Sequence, residues 1–251
     1  MDMMIYSILS VKKDSEKLNA LLAGIKGISG ADLYVVNFDE IAVIASETKR
    51  AELIADKSNA IEYAGVIEKL AQHFTLLPMR FGSIMESTYA IIQMLDRNYH
   101  DIQQNLLKVE NMWEFGLKVF CDPEKLKADL SGKSDIPPSC PVEPVPEVQH
   151  SIYRDWVNKK LKEHRIEEML LTYVNSVIAE ITGYLTRLNA VNKFKKMAST
   201  TNIIDAVFLL DKDNKDALIH AVSDLQNRHS GLSFMLTGPW PPYNFVDFTV
   251  K

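Results

Sequence analysis

The chain has 251 residues, 47% of them hydrophobic and 24% charged, with 33 acidic against 28 basic side chains and a net charge of -5. That length suits one large domain or two small ones, with enough buried surface to fold without staples. The acidic balance argues against nucleic acid as a partner, and no uncharged apolar run reaches the ~20 residues that cross a lipid membrane.

The opening residues, MDMMIYSILS, carry Asp2 and no basic segment, so they are not expected to be a secretory signal. Met3–Val11 reads as a short buried strand. Asp14 or Ser15 caps a helix with Leu18, Leu21, Leu22 and Ile25 on one face and Gly27 at its end. Leu33–Asn37 and Ile41–Ala45 are β-branched runs around Asn37-Phe38-Asp39-Glu40, which is hairpin chemistry. Glu47–Lys57 and Asn59–Phe74 read as helices. Tyr63, Val66, Ile67, Leu70 and Phe74 form the buried stripe of the second. Thr75–Phe81 reads as an edge or bulged strand, because Pro78 lies inside it. Glu86 or Ser87 starts a helix with Ile91, Ile92, Leu95, Ile102 and Leu106 inward. Residues 1–109 are thus expected to form an α+β domain with a mostly antiparallel sheet.

Asn111–Cys121 alternates as a half-buried strand. Trp113, Phe115, Leu117, Val119 and Cys121 share one face, and Glu114 and Lys118 the other, solvated one. Asp122-Pro123 starts a helix through Leu130. Residues 131–149 hold five of the ten prolines and no apolar period, so they read as an extended surface loop or as disorder. Ser151–Lys196 reads as helix almost throughout. Its stripe is Leu170, Val174, Val177, Ile181, Tyr184, Leu188 and Val191, widened by Leu171, Ile178 and Leu185. A stripe that wide favours packing on a sheet or bundle over a coiled-coil seam. Asn202–Leu210 is a strand. Asp211–His229 is a helix with Leu218, Ala221, Val222 and Leu225 inward, ended by Gly231, and Leu232–Leu236 is the last regular strand. Residues 110–237 therefore approach a ferredoxin-like layout, one strand short of the full pattern.

Chemistry-bearing motifs are scarce. Cys121 and Cys140 form no CxxC, which fits a reducing cytoplasm. The six histidines have no metal-ligand spacing, so no metal and no cofactor are expected. No GxSxG, Walker A, HExxH or GxGxxG occurs, and Gly24, Gly27 and Gly30 read as a helix end and turn. Glu167-Glu168 and Asp39-Glu40 are solvated faces, because neighbours on a helix do not converge. No catalytic residue is expected from these motifs.

Two segments have unusual physics. In Leu76–Gly82, Arg80 is a lone charge in an apolar strand. It must snorkel or pair, and a structural salt bridge is expected over ligand binding, with Glu114 on the next strand as the candidate partner. In Gly238-Pro239-Trp240-Pro241-Pro242-Tyr243-Asn244-Phe245, three prolines remove three donors, so this segment is not expected to extend a ladder. It reads as a Pro/aromatic tail over 238–251 that packs its aromatics on its own domain. The Pro239/Pro242 spacing leaves an SH3-type ligand as the alternative.

The block LLPMRFGSI, with Pro78, Arg80, Phe81 and Gly82, is followed by the strand MWEFGLKVF, with Trp113 and Glu114. The block LTGPWPPYNFV closes the chain, with Gly238, Pro239, Trp240, Pro241, Pro242, Tyr243 and Phe245. Together these resemble the gas vesicle protein F/L family. The resemblance implies a non-enzymatic protein of gas vesicle formation in the prokaryotic cytoplasm. It would be a minor shell-associated component or an assembly factor, contacting the main hydrophobic wall protein and other gas vesicle proteins. Two alternatives stay open: a small-molecule-binding or enzymatic protein using an interdomain cleft, and a helical adaptor using the 151–196 stripe.

Overall fold

The strand DMMIYSILS (β1, Asp2–Ser10) is buried along nearly its whole length because helices cover both faces of its sheet. The computed structural model describes residues 2–11, 15–49, 56–122, 125, 152–195 and 201–246. On one face, Met4, Tyr6 and Leu9 pack with Leu18 and Leu22 of α1 (Ser15–Leu22) and with Tyr63, Val66, Ile67 and Leu70 of α2 (Lys57–Ala71). The other face meets α3 (Thr88–Lys108). Asp56 caps α2 by accepting from the Asn59 N–H at 2.8 Å, and Ser87 caps α3 by accepting from the Ala90 N–H at 3.2 Å.

β1 pairs antiparallel with β3 (Ile41–Thr48), and β3 with β2 (Leu33–Phe38). Asp39, at φ 49°, turns the hairpin between them. The strand order is β2-β3-β1-β4, with β4 (Leu76–Pro78) at the edge where a proline is tolerated and β5 (Ile84–Met85) also on β1. Two expectations change. Glu47 and Thr48 belong to β3 rather than a helix, and residues 50–55 lie outside the described ones. Ile92 is 37% exposed, since it sits one residue, about 100° of helix, off the stripe of Ile91, Met94, Leu95, Asn98, Ile102 and Leu106.

The second sheet is also antiparallel. It contains β6 (Met112–Cys121), β7 (Val191–Lys195), β8 (Asn202–Asp211) and β9 (Leu232–Trp240), in the order β7-β8-β6-β9. Its helices are α4 (Ile152–Arg187) and α5 (Lys215–Arg228). Val174, Val177, Ile181 and Leu185 of α4 are buried. The helix stops well before Lys196. Asn189 adopts a left-handed φ of 54°, and the chain turns into β7, where Val191 is 46% exposed. β7 is the strand the expected layout lacked. Apart from Asp122 and Lys125, the helix expected over 122–130, the loop 131–149 and Cys140 lie outside the described residues.

β9 runs through Gly238 and Pro239 to Trp240, where the prolines were expected to end the ladder. It lies at the edge of its sheet, where a missing donor on the outer side leaves no partner unsatisfied. Both sheets share one connectivity. β1-α1-β2-β3-α2-β4 and β6-α4-β7-β8-α5-β9 each place their strands in the order second, third, first, fourth. The chain divides into two compact units that interleave in sequence. One comprises Met1–Phe115, Leu209–Asp213 and Gly238–Lys251, the other Gly116–Phe208 and Asn214–Thr237.

Candidate functional site

Both sequence blocks that stood out lie mainly in the first unit. β1 pairs with β4 as far as Ser7↔Pro78 and with β5 from Met4↔Ile84. Ile5 and Tyr6 thus face the longer segment 79–83, which bulges from the sheet. Its ends are tied by the Met79 N–H to the Tyr6 carbonyl at 2.9 Å and by the Ile5 N–H to the Ser83 carbonyl at 2.8 Å. Gly82 takes φ 83°, and the Ser83 N–H closes the turn on the Arg80 carbonyl.

The bulge is held from α2. The buried Tyr63 hydroxyl lies 2.8 Å from the Ile5 carbonyl, 3.0 Å from that of Met79 and 3.1 Å from that of Arg80. Tyr6 stacks on the Tyr63 ring at 4.9 Å, and Phe81 meets it edge-on at 5.3 Å. Burial, and then the charges Tyr243 and Tyr6 would carry, push the Tyr63 phenol far above its ordinary value. Sequence reasoning placed Tyr63 in a core stripe and missed this role. The available signal was a hydroxyl amid aliphatic stripe positions, since a buried tyrosine needs a partner.

Arg80 is exposed, and no ion pair joins it to Glu114 among the described residues. The expected salt bridge fails because residue 80 lies in the bulge rather than in a strand. Glu114 is 4% exposed, although it was expected on the solvated face of its strand. Its carboxylate accepts from the Asn244 N–H at 2.7 Å and from the Asn244 side-chain amide at 2.5 Å. The C-terminal segment covers that face of β6. Within it Pro241, Pro242 and Phe245 are buried, while Trp240 and Tyr243 stay exposed, so not all its aromatics pack. The Tyr243 N–H to Pro241 and Phe245 N–H to Pro242 bonds turn the chain. Gly238, at φ 112°, passes so close to β6 that an added Cβ would lie 2.8 Å from the Glu114 carbonyl oxygen.

Trp113 has the Lys212 ammonium 4.4 Å from its ring centroid, and that ammonium also donates to the Ala71 carbonyl at 3.4 Å. Burial pulls the Lys212 pKa down, and Asp211 partly offsets this. Trp113, Lys212 and Pro242 line one small hollow with Ala71, Phe74 and Leu76. Of the motif residues, Pro78, Glu114, Pro241, Pro242 and Phe245 are buried, Phe81 and Trp113 are half-buried, and Arg80, Gly82, Gly238, Pro239, Trp240 and Tyr243 are exposed. The Tyr63 hydroxyl and the Glu114 carboxylate both hold chain segments in place, the bulge in one case and the C-terminal segment in the other.

In the second unit, Tyr173 bonds His229 at 3.1 Å, His229 lies 3.4 Å from Glu180, and Arg228 bridges to Glu180 at 2.9 Å. This ties α4 to α5. Burial, and then the Glu180 charge, raise the Tyr173 pKa. Among the described residues no group of three or more His, Cys, Asp or Glu could hold a metal, and no helix is long and apolar enough to cross a membrane.

The profile of the family described as gas vesicle synthesis protein GvpL/GvpF matches residues 3–247. The chain belongs to that family. Among GvpL/GvpF relatives, gas vesicle protein F1 of Halobacterium salinarum is 22% identical over 230 residues, covering 90% of this chain and 87% of the relative. Gas vesicle protein L of Haloferax mediterranei is 20% identical over 233 residues, covering 88% and 72%. The crystal structure of GvpF from Anabaena sp. PCC7120 superposes with a TM-score of 0.77 at 20% identity, covering 99% of this chain and 97% of that one. GvpF from Microcystis aeruginosa gives 0.73 at 15% identity, covering 98% and 99%. The α+β fold is thus that of solved GvpF proteins, and GvpL/GvpF membership supports a gas vesicle related role.

Proposed function

We propose that this GvpL/GvpF chain is a non-enzymatic component of gas vesicle formation that binds the main hydrophobic wall protein, as a minor shell component or as an assembly factor. Its place is the gas vesicle in the cytoplasm, where other gas vesicle proteins are further partners. One observation carries the reading: exposed large apolar side chains sit on edge strands of both sheets. They are Tyr34 on β2, Val191 and Phe194 on β7, and Met235 and Trp240 on β9. An apolar wall subunit has strand edges and faces to shield before assembly, and apolar edge strands are suited to receive them. The Tyr63 hydroxyl and the Glu114 carboxylate, each holding a chain segment in place, support a scaffold over an enzyme. We further read 110–237 as a ferredoxin-like domain after the α+β domain 1–109, with 238–251 as a C-terminal tail. The shared element order supports this.

Co-expression with the wall protein and affinity purification of the full chain tests the reading. Retention of the wall protein, with loss of vesicles in a deletion strain, is expected. Normal flotation and vesicle number in that strain would overturn it.

A further inference from the structure

We infer that β2 is the edge onto which the partner adds an extended, uncharged, apolar strand flanked by a basic residue. The inference rests on the proposed binding of the wall protein and assigns it a place.

The two sheets end in β2 and β4, and in β7 and β9. An edge strand offers N–H and C=O groups to any extended chain, and proteins blunt such edges with proline, lysine or a cover. Three of these edges are blunted. β4 has three residues and ends in Pro78, with the two-residue β5 on the same side of β1. β7, VNKFK, carries Lys193 and Lys195. β9 contains Pro239, and the Gln226 side chain already occupies two of its main-chain groups. It donates to the Leu232 carbonyl at 2.7 Å and accepts from the Phe234 N–H at 3.0 Å.

Among the described residues β2 has no such device. LYVVNF contains no charge and no proline, and it pairs with β3 without a break from Leu33↔Ser46 to Phe38↔Ile41. Alternate residues of an antiparallel strand aim their N–H and C=O away from the partner strand. Among the described residues, β2 makes no main-chain bond other than to β3. Apart from the exposed Asn37, the residues on both faces beside this edge are apolar. Leu33 and Val35 pack toward the core cluster, and Tyr34, Val36 and Phe38 lie on the other face, with the Tyr99 ring 5.7 Å from that of Phe38. A strand added here has apolar neighbours on both of its faces, which selects β-branched or aromatic residues and rejects buried charge.

The ends of β2 set the charge of the occupant. Asp39 and Glu40 are exposed at the hairpin and have no ion-pair partner among the described residues. At the other end, Asp32 is held by Lys26 at 2.5 Å. A lysine or arginine beside the incoming strand at the hairpin end completes the match. A second copy of this chain fits worse, because its own β2 is bounded by Asp32, Asp39 and Glu40 and brings three carboxylates against the single Lys26 ammonium that Asp32 already holds.

The test compares amide hydrogen exchange of the full chain alone and in complex with the wall protein. A second arm measures binding by the double variant Tyr34→Lys/Asn37→Lys, which alters two exposed edge positions. Increased protection within 33–38 is expected, with binding of the folded variant weakened about tenfold. A complex that leaves exchange across 33–38 unchanged, or a folded variant that binds like the parent, overturns the β2 assignment and leaves wall-protein binding standing. Failure of the parent chain to bind the wall protein removes both. If the variant loses its thermal transition, the exchange data on the unaltered chain decide.

Discussion

Glu114 and Asn244 are 130 residues apart, and the Glu114 carboxylate accepts both the Asn244 N–H and the Asn244 side-chain amide. The interaction joins the buried face of β6 to the C-terminal segment, and Phe245 beside it is fully buried. Replacing Glu114 with alanine removes the acceptor of two hydrogen bonds from a buried position, so a loss of about 2–3 kcal/mol in urea denaturation is expected. Asn244→Ala should cost about 1–2 kcal/mol, and the double variant less than the sum. Strictly additive losses would show that the two residues do not act together.

The bulge at 79–83 depends on one hydroxyl. Tyr63→Phe keeps the ring and its stacking on Tyr6 but leaves the Ile5, Met79 and Arg80 carbonyls without that donor. A loss of about 1–3 kcal/mol is expected, with faster exchange around residue 80.

Tyr63 also sets an alkaline limit. Its phenol is held neutral in the fold, with its pKa raised chiefly by burial, whereas an unfolded tyrosine titrates near ~10. Above that pH the native state binds a proton that the unfolded state has lost, so stability falls as pH rises. Below it the contribution is fully present. The Tyr63→Phe variant should show a shallower alkaline slope in denaturation series, and an identical slope would exclude Tyr63 as its source.

Two glycines should respond to alanine with opposite signs. Gly238→Ala forces a side chain into φ 112° with a Cβ 2.8 Å from the Glu114 oxygen, and it should lower stability by more than about 1 kcal/mol. Gly65 lies inside α2 with nothing within 4 Å of an added Cβ, so Gly65→Ala should raise stability by about 0.5–1 kcal/mol. Thermal melts of the two variants measure both.

The helix caps give a local check. Asp56→Ala and Ser87→Ala each remove one acceptor from a first-turn N–H, and each should cost about 1 kcal/mol in denaturation of the full chain.

How much was legible follows from the range of each interaction. The stripe of Tyr63, Val66, Ile67, Leu70 and Phe74 and the hairpin around Asp39 were readable, since both depend on residues a few positions apart. Ile92 was misread because one apolar residue off the stripe does not disturb the periodicity of the rest. Val191 continued the helical spacing of α4, yet Asn189 had already turned the chain. The C-terminal strand was cut short because a proline reads as a break unless the strand is known to lie at an edge.

The sequence by itself determined the kinds and order of most elements, the apolar stripes, and the two blocks that carry family membership. Local geometry and side-chain volume act within a few residues and leave their mark in the chain. The tertiary structure decided that Glu114 is covered and Arg80 is not, that one tyrosine hydroxyl serves the bulge, and that the Gln226 side chain occupies main-chain groups of β9. Those outcomes depend on which distant segment lies against a given face or edge, and a polar residue on a strand reads the same in sequence whether water or Asn244 meets it.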